Sequence, residues 1–204
     1  MRRYFVIGNP IEHSLSPELH NFWIKKNNIN AIYKSGKDIV GHNTDVAGFE
    51  LGLRHSKINV LHKSILILGA GGVVPSIIYS LLSMGCKKIY LSNRTISKAE
   101  DIKNKFNEIE ILKWGKIPDF DIVINATSVG LKGDSLDIEF NVKDKVFYDV
   151  IYNPKETHFL KKAKENGNKI ENGKYMFIYQ ANQSFSIWNN VIPKIDKDVL
   201  KILE

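Results

Sequence analysis

Four short stretches carry residue types that could do chemistry. The first is Gly69-Ala70-Gly71-Gly72-Val73, which follows the apolar run Ser64-Ile65-Leu66-Ile67-Leu68 and opens a helix-like stretch from Val73 to Met84. Glycines at the end of a buried strand let the backbone turn sharply and approach a phosphate, whose charge meets the amides and dipole of a helix start. The third glycine of the dinucleotide fingerprint is absent, so a plain strand-to-helix turn is the competing explanation. The second stretch, Asn93-Arg94-Thr95, ends the next strand, Lys88-Ile89-Tyr90-Leu91. A fingerprint that selects NAD places an acidic residue there against the ribose 2′-hydroxyl. Arg94 instead offers a guanidinium suited to a phosphate, with Asn93 and Thr95 as further donors, so the pattern predicts NADP over NAD.

The third stretch sets two hydroxyls, Ser14 and Ser16, two residues apart in a loop that ends at Pro17. Hydroxyl pairs suit a polyol or a carboxylate. Ser16 before Pro17 is also a sound helix start, which accounts for Ser16 but not for Ser14. The fourth is Asp45, within Gly41-His42-Asn43-Thr44-Asp45, read either as a carboxylate at the mouth of a cleft or as a first-turn helix carboxylate.

These groups need elements to hold them. Residues 3–8 read as a short strand, and a helix from Ser16 carries Leu19, Phe22, Trp23 and Ile24 on its apolar side. A hairpin over 30–42 with a Ser35-Gly36 turn comes next. A helix then begins near Asp45 and runs towards His55, and residues 56–63 join this region to the rest. Beyond Arg94 the spacing predicts a helix over 97–106, strands over 110–112, 121–125 and 145–150, and helices over 157–166 and 175–191. In the last helix Phe177, Ala181, Phe185 and Trp188 recur at near-helical spacing and read as core, and Gln180 faces either solvent or a cleft. Strand and helix in this alternation mean an α/β fold with a Rossmann-like, doubly wound parallel sheet, whose ligands sit beyond the carboxyl ends of the strands. Residues 125–130 and 149–154 both occupy such ends.

With 204 residues, of which 43% are hydrophobic, the chain can bury one substantial core or two small ones. No apolar run approaches the roughly 18 residues of a membrane span and no signal-peptide pattern opens the chain, so a cytoplasmic protein without a membrane partner is expected. The single cysteine, Cys86, excludes an internal disulfide and a cysteine-based metal cluster. The net charge of +7 is spread over lysines set among acidic residues, which argues for solvated faces and against a nucleic-acid partner.

Taken in order, these residues resemble the shikimate dehydrogenase family: Gly8-Asn9-Pro10 with Ser14-x-Ser16-Pro17 and His20-Asn21; Asn43-Thr44-Asp45; Gly69-Ala70-Gly71-Gly72; Asn93-Arg94-Thr95; Asn125-Ala126-Thr127-Ser128-x-Gly130; Tyr148-Asp149-x-x-Tyr152-Asn153-Pro154; and Gln180-Ala181 with Phe185 and Trp188. The resemblance implies reversible reduction of 3-dehydroshikimate to shikimate by NADPH, on the route to aromatic amino acids, by a monomer or homodimer. It implies that Ser14 and Ser16 hold the substrate carboxylate and that Asp45, Tyr152 and Gln180 contact the ring hydroxyls or carboxylate, Asp45 also being catalytic. Gly69, Ala70, Gly71, Gly72 and Val73 would bind the pyrophosphate, and Asn93, Arg94 and Thr95 the 2′-phosphate. Thr127, Ser128 and Val129 would line the cofactor cleft, with Gly173 near the nicotinamide.

The sequence also departs from the family. Members carry several dozen more residues before the Asn-Thr-Asp motif, among them an Asn-Val-Thr-x-Pro-x-Lys stretch with the catalytic lysine, and this sequence has no such stretch. Asn30 is either the counterpart of a substrate-binding asparagine or part of the family's second strand, and Lys34 and Lys37 are the lysines nearest in sequence to Asp45. The expected organisation is a truncated α/β substrate-binding region, 1–55, joined by C-terminal helices over 175–204, and an NADP-binding domain, 56–174. An NADP-binding or regulatory relative without turnover is the alternative. A glutamyl-tRNA reductase-like enzyme would need a nucleophilic cysteine in its substrate region, and Cys86 lies after the cofactor helix instead.

Overall fold

A computed structural model describes residues 15–26 and 42–202. Ser14, Asn30, Lys34 and Lys37, the strand expected over 3–8 and the hairpin expected over 30–42, save His42, lie outside the described residues. Six strands form one parallel sheet: β1 (Ser64–Leu68), β2 (Lys88–Ser92), β3 (Glu110–Leu112), β4 (Ile122–Asn125), β5 (Val146–Asp149) and β6 (Lys169–Glu171), in the order β3-β2-β1-β4-β5-β6. The order reverses between β1 and β4, so the crevice of a doubly wound sheet opens beyond their carboxyl ends. The helices are α1 (Ser16–Lys26), α2 (Thr44–His55), α3 (Val74–Ser83), α4 (Ile96–Lys103), α5 (His158–Glu165), α6 (Lys174–Asn189) and α7 (Lys197–Ile202). β6 is an addition to the elements expected from sequence, and α7 lies among the C-terminal helices expected over 175–204, beyond the helix bounded at 175–191.

Residues along each central strand alternate between two cores. Ile65 and Ile67 of β1 pack with α2, α3 and α4 on one face, and Leu66 and Leu68 pack with Phe140, Phe147, Phe159 and α5 on the other. Burial on both faces is what makes β1 and β4 continuous apolar runs. Each fully buried Leu or Ile contributes roughly 1.5–3 kcal/mol from this desolvation.

α2 belongs to the first of these cores through Phe49 and Leu53. It also lies hard against α6: a Cβ built at Gly48 would stand 2.6 Å from Gln180 Cβ and 2.9 Å from the Met176 carbonyl oxygen. Only glycine permits that approach, and it brings Asp45 and Gln180 to one region. A third cluster joins Leu19 and Trp23 of α1, Phe177 and Phe185 of α6, and Val199 of α7. Lys26 pairs with Asp196 at 2.5 Å across it. Phe177, Ala181 and Phe185 are buried as expected, but Trp188 is 43% exposed, its ring tilted against that of His20 with centroids 5.2 Å apart. The indole stands on the last turn of α6 beside His20 of α1, outside the buried cluster, and keeps part of its surface in solvent.

Candidate functional site

At the switch point a cleft of about 520 Å³ opens, lined by α2, α6, the turn after β1 and the loops after β4 and β5. Ten of the residues singled out from sequence stand on its wall: Ser16, Asp45, Gly71, Gly72, Val73, Thr127, Ser128, Tyr152, Gly173 and Gln180. Gln180 thus enters the cleft. Gly69, Ala70 and Val129 stand behind the wall, and Asn93, Arg94 and Thr95 lie apart from it at the end of β2. Val129 is turned back into its own loop, where its amide donates to Thr127 Oγ1 at 3.1 Å.

The glycine turn fits a phosphate. Gly69 has φ +105°, and a Cβ there would lie 2.7 Å from the Ala126 carbonyl oxygen, so a side chain is excluded on both counts. No side chain caps the start of α3; its first amide, that of Val74, donates to the Gly71 carbonyl at 3.1 Å, which closes the glycine turn at the helix end that favours an anion. Pro75 occupies the first turn, where its missing N–H has no partner to lose. Beside β2, Asn93 Nδ2 donates to the Thr95 carbonyl at 2.7 Å, bending the segment around Arg94, which is exposed. A pyrophosphate on the turn and a 2′-phosphate near Arg94 therefore suit the residues present.

Asp45 is placed by its neighbours. Asn43 caps α2 by accepting from the Asp45 amide at 3.0 Å, and its Nδ2 donates to Ser76 Oγ of α3 at 2.9 Å. Thr44 Oγ1 meets Ser184 Oγ of α6 at 3.0 Å. The start of α2, which carries Asp45, is thereby fixed between the helix that begins at the glycine turn and the helix that carries Gln180. The start of α2 favours a negative charge, but burial wins and pushes the Asp45 carboxyl above the usual carboxylate range. It is the one ionisable carboxyl on the described wall, and no lysine, arginine or histidine stands there among the described residues.

Tyr152 stacks on Phe177 at 4.3 Å, and its hydroxyl accepts from the Leu15 amide at 3.5 Å, which ties Leu15 to this side of the cleft. Gly173 sits so close to β5 that a Cβ would stand 2.0 Å from the Val150 carbonyl oxygen. Behind the wall a buried polar network, not assigned a role from sequence, links the ends of β4 and β5. Asn125 Nδ2 donates to Asp149 Oδ1 at 3.1 Å, and Thr157 Oγ1 donates to Asp149 Oδ2 at 2.6 Å. Burial raises the Asp149 carboxyl to about 6 although the three donors around it, Thr157, the Ile151 amide and Asn125, pull the other way. The signal was a polar residue closing each of two apolar strands.

Comparison with known proteins bears on this cleft. The family model described as Shikimate / quinate 5-dehydrogenase matches residues 52–131, and that described as Shikimate dehydrogenase substrate binding domain matches residues 6–49. A protein of Pelagibacter ubique (strain HTCC1062) named Shikimate dehydrogenase (NADP(+)) is 44% identical over 262 aligned positions, covering 100% of this chain and 99% of the relative. That alignment is longer than the 204 residues of this chain, so the relative has positions with no counterpart here. A relative of the same name from Caldicellulosiruptor bescii is 32% identical and covers 100% of this chain and 94% of its own. Among solved structures, the shikimate dehydrogenase of Aquifex aeolicus superposes with a TM-score of 0.79 at 29% identity, over 95% of this chain and 94% of that one. A shikimate dehydrogenase in complex with NADP+ does so with a TM-score of 0.77 at 28% identity, over 95% and 91%.

Proposed function

The chain belongs to the shikimate dehydrogenase family, and on that premise we propose that it is an NADP-dependent shikimate dehydrogenase, an oxidoreductase that reduces 3-dehydroshikimate to shikimate. One observation carries the reading: Asp45, Tyr152 and Gln180, from three distant parts of the chain, meet the glycine turn and the loop after β4 around a single cleft. Bound NADPH would supply a hydride to the carbonyl carbon. The ketone oxygen then gathers negative charge and needs a proton. Asp45, whose carboxyl holds its proton to higher pH than an exposed aspartate, supplies or relays it from the start of α2. Ser16, Tyr152 and Gln180 offer hydrogen bonds to the ring hydroxyls or carboxylate, with Ser14 and Asn30 as further partners. Met176, Phe177 and Ile151 give the wall an apolar side that excludes water.

Gly69, Ala70, Gly71, Gly72 and Val73 hold the pyrophosphate in this reading, Asn93, Arg94 and Thr95 the 2′-phosphate, and Thr127, Ser128, Val129 and Gly173 the nicotinamide side. The substrate region is 1–55 with 175–204 and the cofactor domain 56–174, α2 and α6 joining the two. The enzyme acts in the cytoplasm as a monomer or homodimer, without a nucleic-acid partner.

A second reading, an NADP-binding relative without turnover, is favoured by the missing Asn-Val-Thr-x-Pro-x-Lys stretch and by the absence of a lysine from the described wall. One assay separates the two. Purified protein with shikimate and NADP+ is expected to generate NADPH absorbance. Thermal stabilisation by NADP+ with no turnover at high enzyme concentration would establish the second reading instead. In an active enzyme, Asp45→Asn is expected to lower kcat by about 100-fold or more with NADP+ affinity little changed, measured by steady-state kinetics and cofactor titration.

A further inference from the structure

We propose that Asp149 is a positioning residue that fastens the two strand-end loops of the cleft into one unit, so that the cofactor side and Tyr152 respond together. The inference rests on the dehydrogenase reading, because it takes the loop after β4 as a cofactor wall and the loop after β5 as a substrate wall. Asn125 and Asp149 are register partners at the carboxyl ends of adjacent parallel strands, and both are 0% exposed. From that pair the hydrogen bonds run outward along both loops. Asn125 Oδ1 accepts from the Thr127 amide at 3.1 Å and from Thr127 Oγ1 at 2.7 Å, and Asn125 Nδ2 donates to the Val129 carbonyl at 3.2 Å. On the other side, Asp149 Oδ1 accepts from the Ile151 amide at 3.0 Å and Oδ2 from Thr157 Oγ1 at 2.6 Å. Side-chain links across the two loops meet at one bond, Asn125 Nδ2 to Asp149 Oδ1.

A carboxylate suits that place because every partner is a donor and it accepts on both oxygens. A buried carboxylate cannot lose a donor cheaply, so neither loop shifts without breaking a charge-assisted bond in a water-free setting. Close packing adds to the bond: a Cβ at Gly130 would stand 3.1 Å from Thr157 Cγ2, so the two loops also touch beyond the pair. The loops so fastened carry Thr127 and Ser128 on one wall and Ile151 and Tyr152 on the other. By contrast, no side-chain hydrogen bond joins the glycine turn after β1 to residues 93–95 after β2 among the described residues.

The test is the coupling between two ligands that cannot react with each other. NADPH affinity is measured by fluorescence with and without saturating shikimate, for the full chain and its variants. In the unsubstituted protein shikimate is expected to change the NADPH dissociation constant by about 5-fold or more. Asp149→Ala, which removes the side-chain bond between the loops and leaves the backbone bond from the Val150 amide to the Asn125 carbonyl in place, is expected to bring that factor below about 2. Asp149→Asn keeps an oxygen for Asn125 and the Ile151 amide and is expected to retain most of the coupling. Should Asp149→Ala not fold, Thr157→Val serves instead, since it frees one carboxyl oxygen and is expected to cut the factor at least by half. A lower melting temperature in Asp149→Ala with the factor unchanged means a structural role only and overturns the inference while leaving the function standing. No coupling in the unsubstituted protein overturns the inference together with the substrate reading it rests on.

Discussion

The two ends of the cleft grow from neighbouring strands of one sheet yet are held in opposite ways. After β1 and β2, Gly71, Gly72 and Arg94 are exposed, α3 has no side-chain cap, and the hydrogen bond of Asn93 stays within its own turn. After β4 and β5, the loops are fixed from behind by Asn125, Asp149 and Thr157, all buried. Charge explains the difference. A phosphate brings its own charge and can order flexible donors as it arrives, whereas hydride transfer needs groups already fixed to within fractions of an ångström. The open end can therefore bind without being stiff, and the closed end must be stiff before anything binds.

The comparison breaks most visibly at Gly173. A Cβ there would overlap the Val150 carbonyl oxygen at 2.0 Å, and backbone on both sides must move to admit it. Gly173→Ala is expected to destabilise the protein by about 3 kcal/mol, a fall of roughly 6–12 °C in melting temperature, measured by thermal unfolding. A fall of less than about 2 °C would mean that the closed end yields after all.

Asp149 gives the next effect, of similar size but dependent on pH. Its carboxyl lies near 6 in the folded protein against 3.8 when unperturbed, so between those values the folded state binds more protons than the unfolded one. The stabilisation linked to this group is present below about pH 4 and lost as pH rises through about 6, by about 3 kcal/mol in the limit. Asp149→Asn removes the titration. Urea unfolding at a series of pH values should therefore find the stability of the unsubstituted protein declining relative to the variant between pH 4 and 7, and parallel curves would refute the assignment.

The uneven legibility of the sequence follows the same division. The glycine turn, the apolar strands and the basic residue after β2 are local patterns, visible because a strand buried on two faces must be apolar and a phosphate turn must be small. β6 was not, since Lys169 and Glu171 flank a single apolar residue, Ile170, at the edge of the sheet. α7, whose own bounds were not visible either, buries only Val199. The pairing of Asn125 with Asp149 depends on which strands are neighbours and in what register, and Trp188 follows an apolar spacing that the end of α6 no longer uses. Local chemistry is readable along the chain, and contacts made across it are not.

At the open end, Arg94→Ala is expected to weaken NADP+ by about 10- to 100-fold and NAD+ by no more than about 2-fold, measured by titration of both cofactors. The side chain is exposed and packs into no core, so the melting temperature of the free protein should stay the same. Equal losses for the two cofactors would contradict a 2′-phosphate contact.

The smallest effect on the fold is expected at Gly72, three residues from Gly69, the turn's most constrained position. A Cβ there would meet nothing within 4 Å, and its backbone is not in the left-handed region. Gly72→Ala is therefore expected to change stability by no more than about 0.5 kcal/mol, with a slight gain because alanine loses less chain entropy on folding. Binding is another matter, because the open space at Gly72 faces the cleft where the pyrophosphate would come close to the backbone. NADP+ affinity is expected to fall several-fold while the melting temperature of the free protein moves by less than about 2 °C. That separation is what an end ordered by its ligand requires. A drop in melting temperature as large as that of Gly173→Ala, with NADP+ affinity unchanged, would mean that the glycine turn serves the packing of the sheet and that the two ends are built alike.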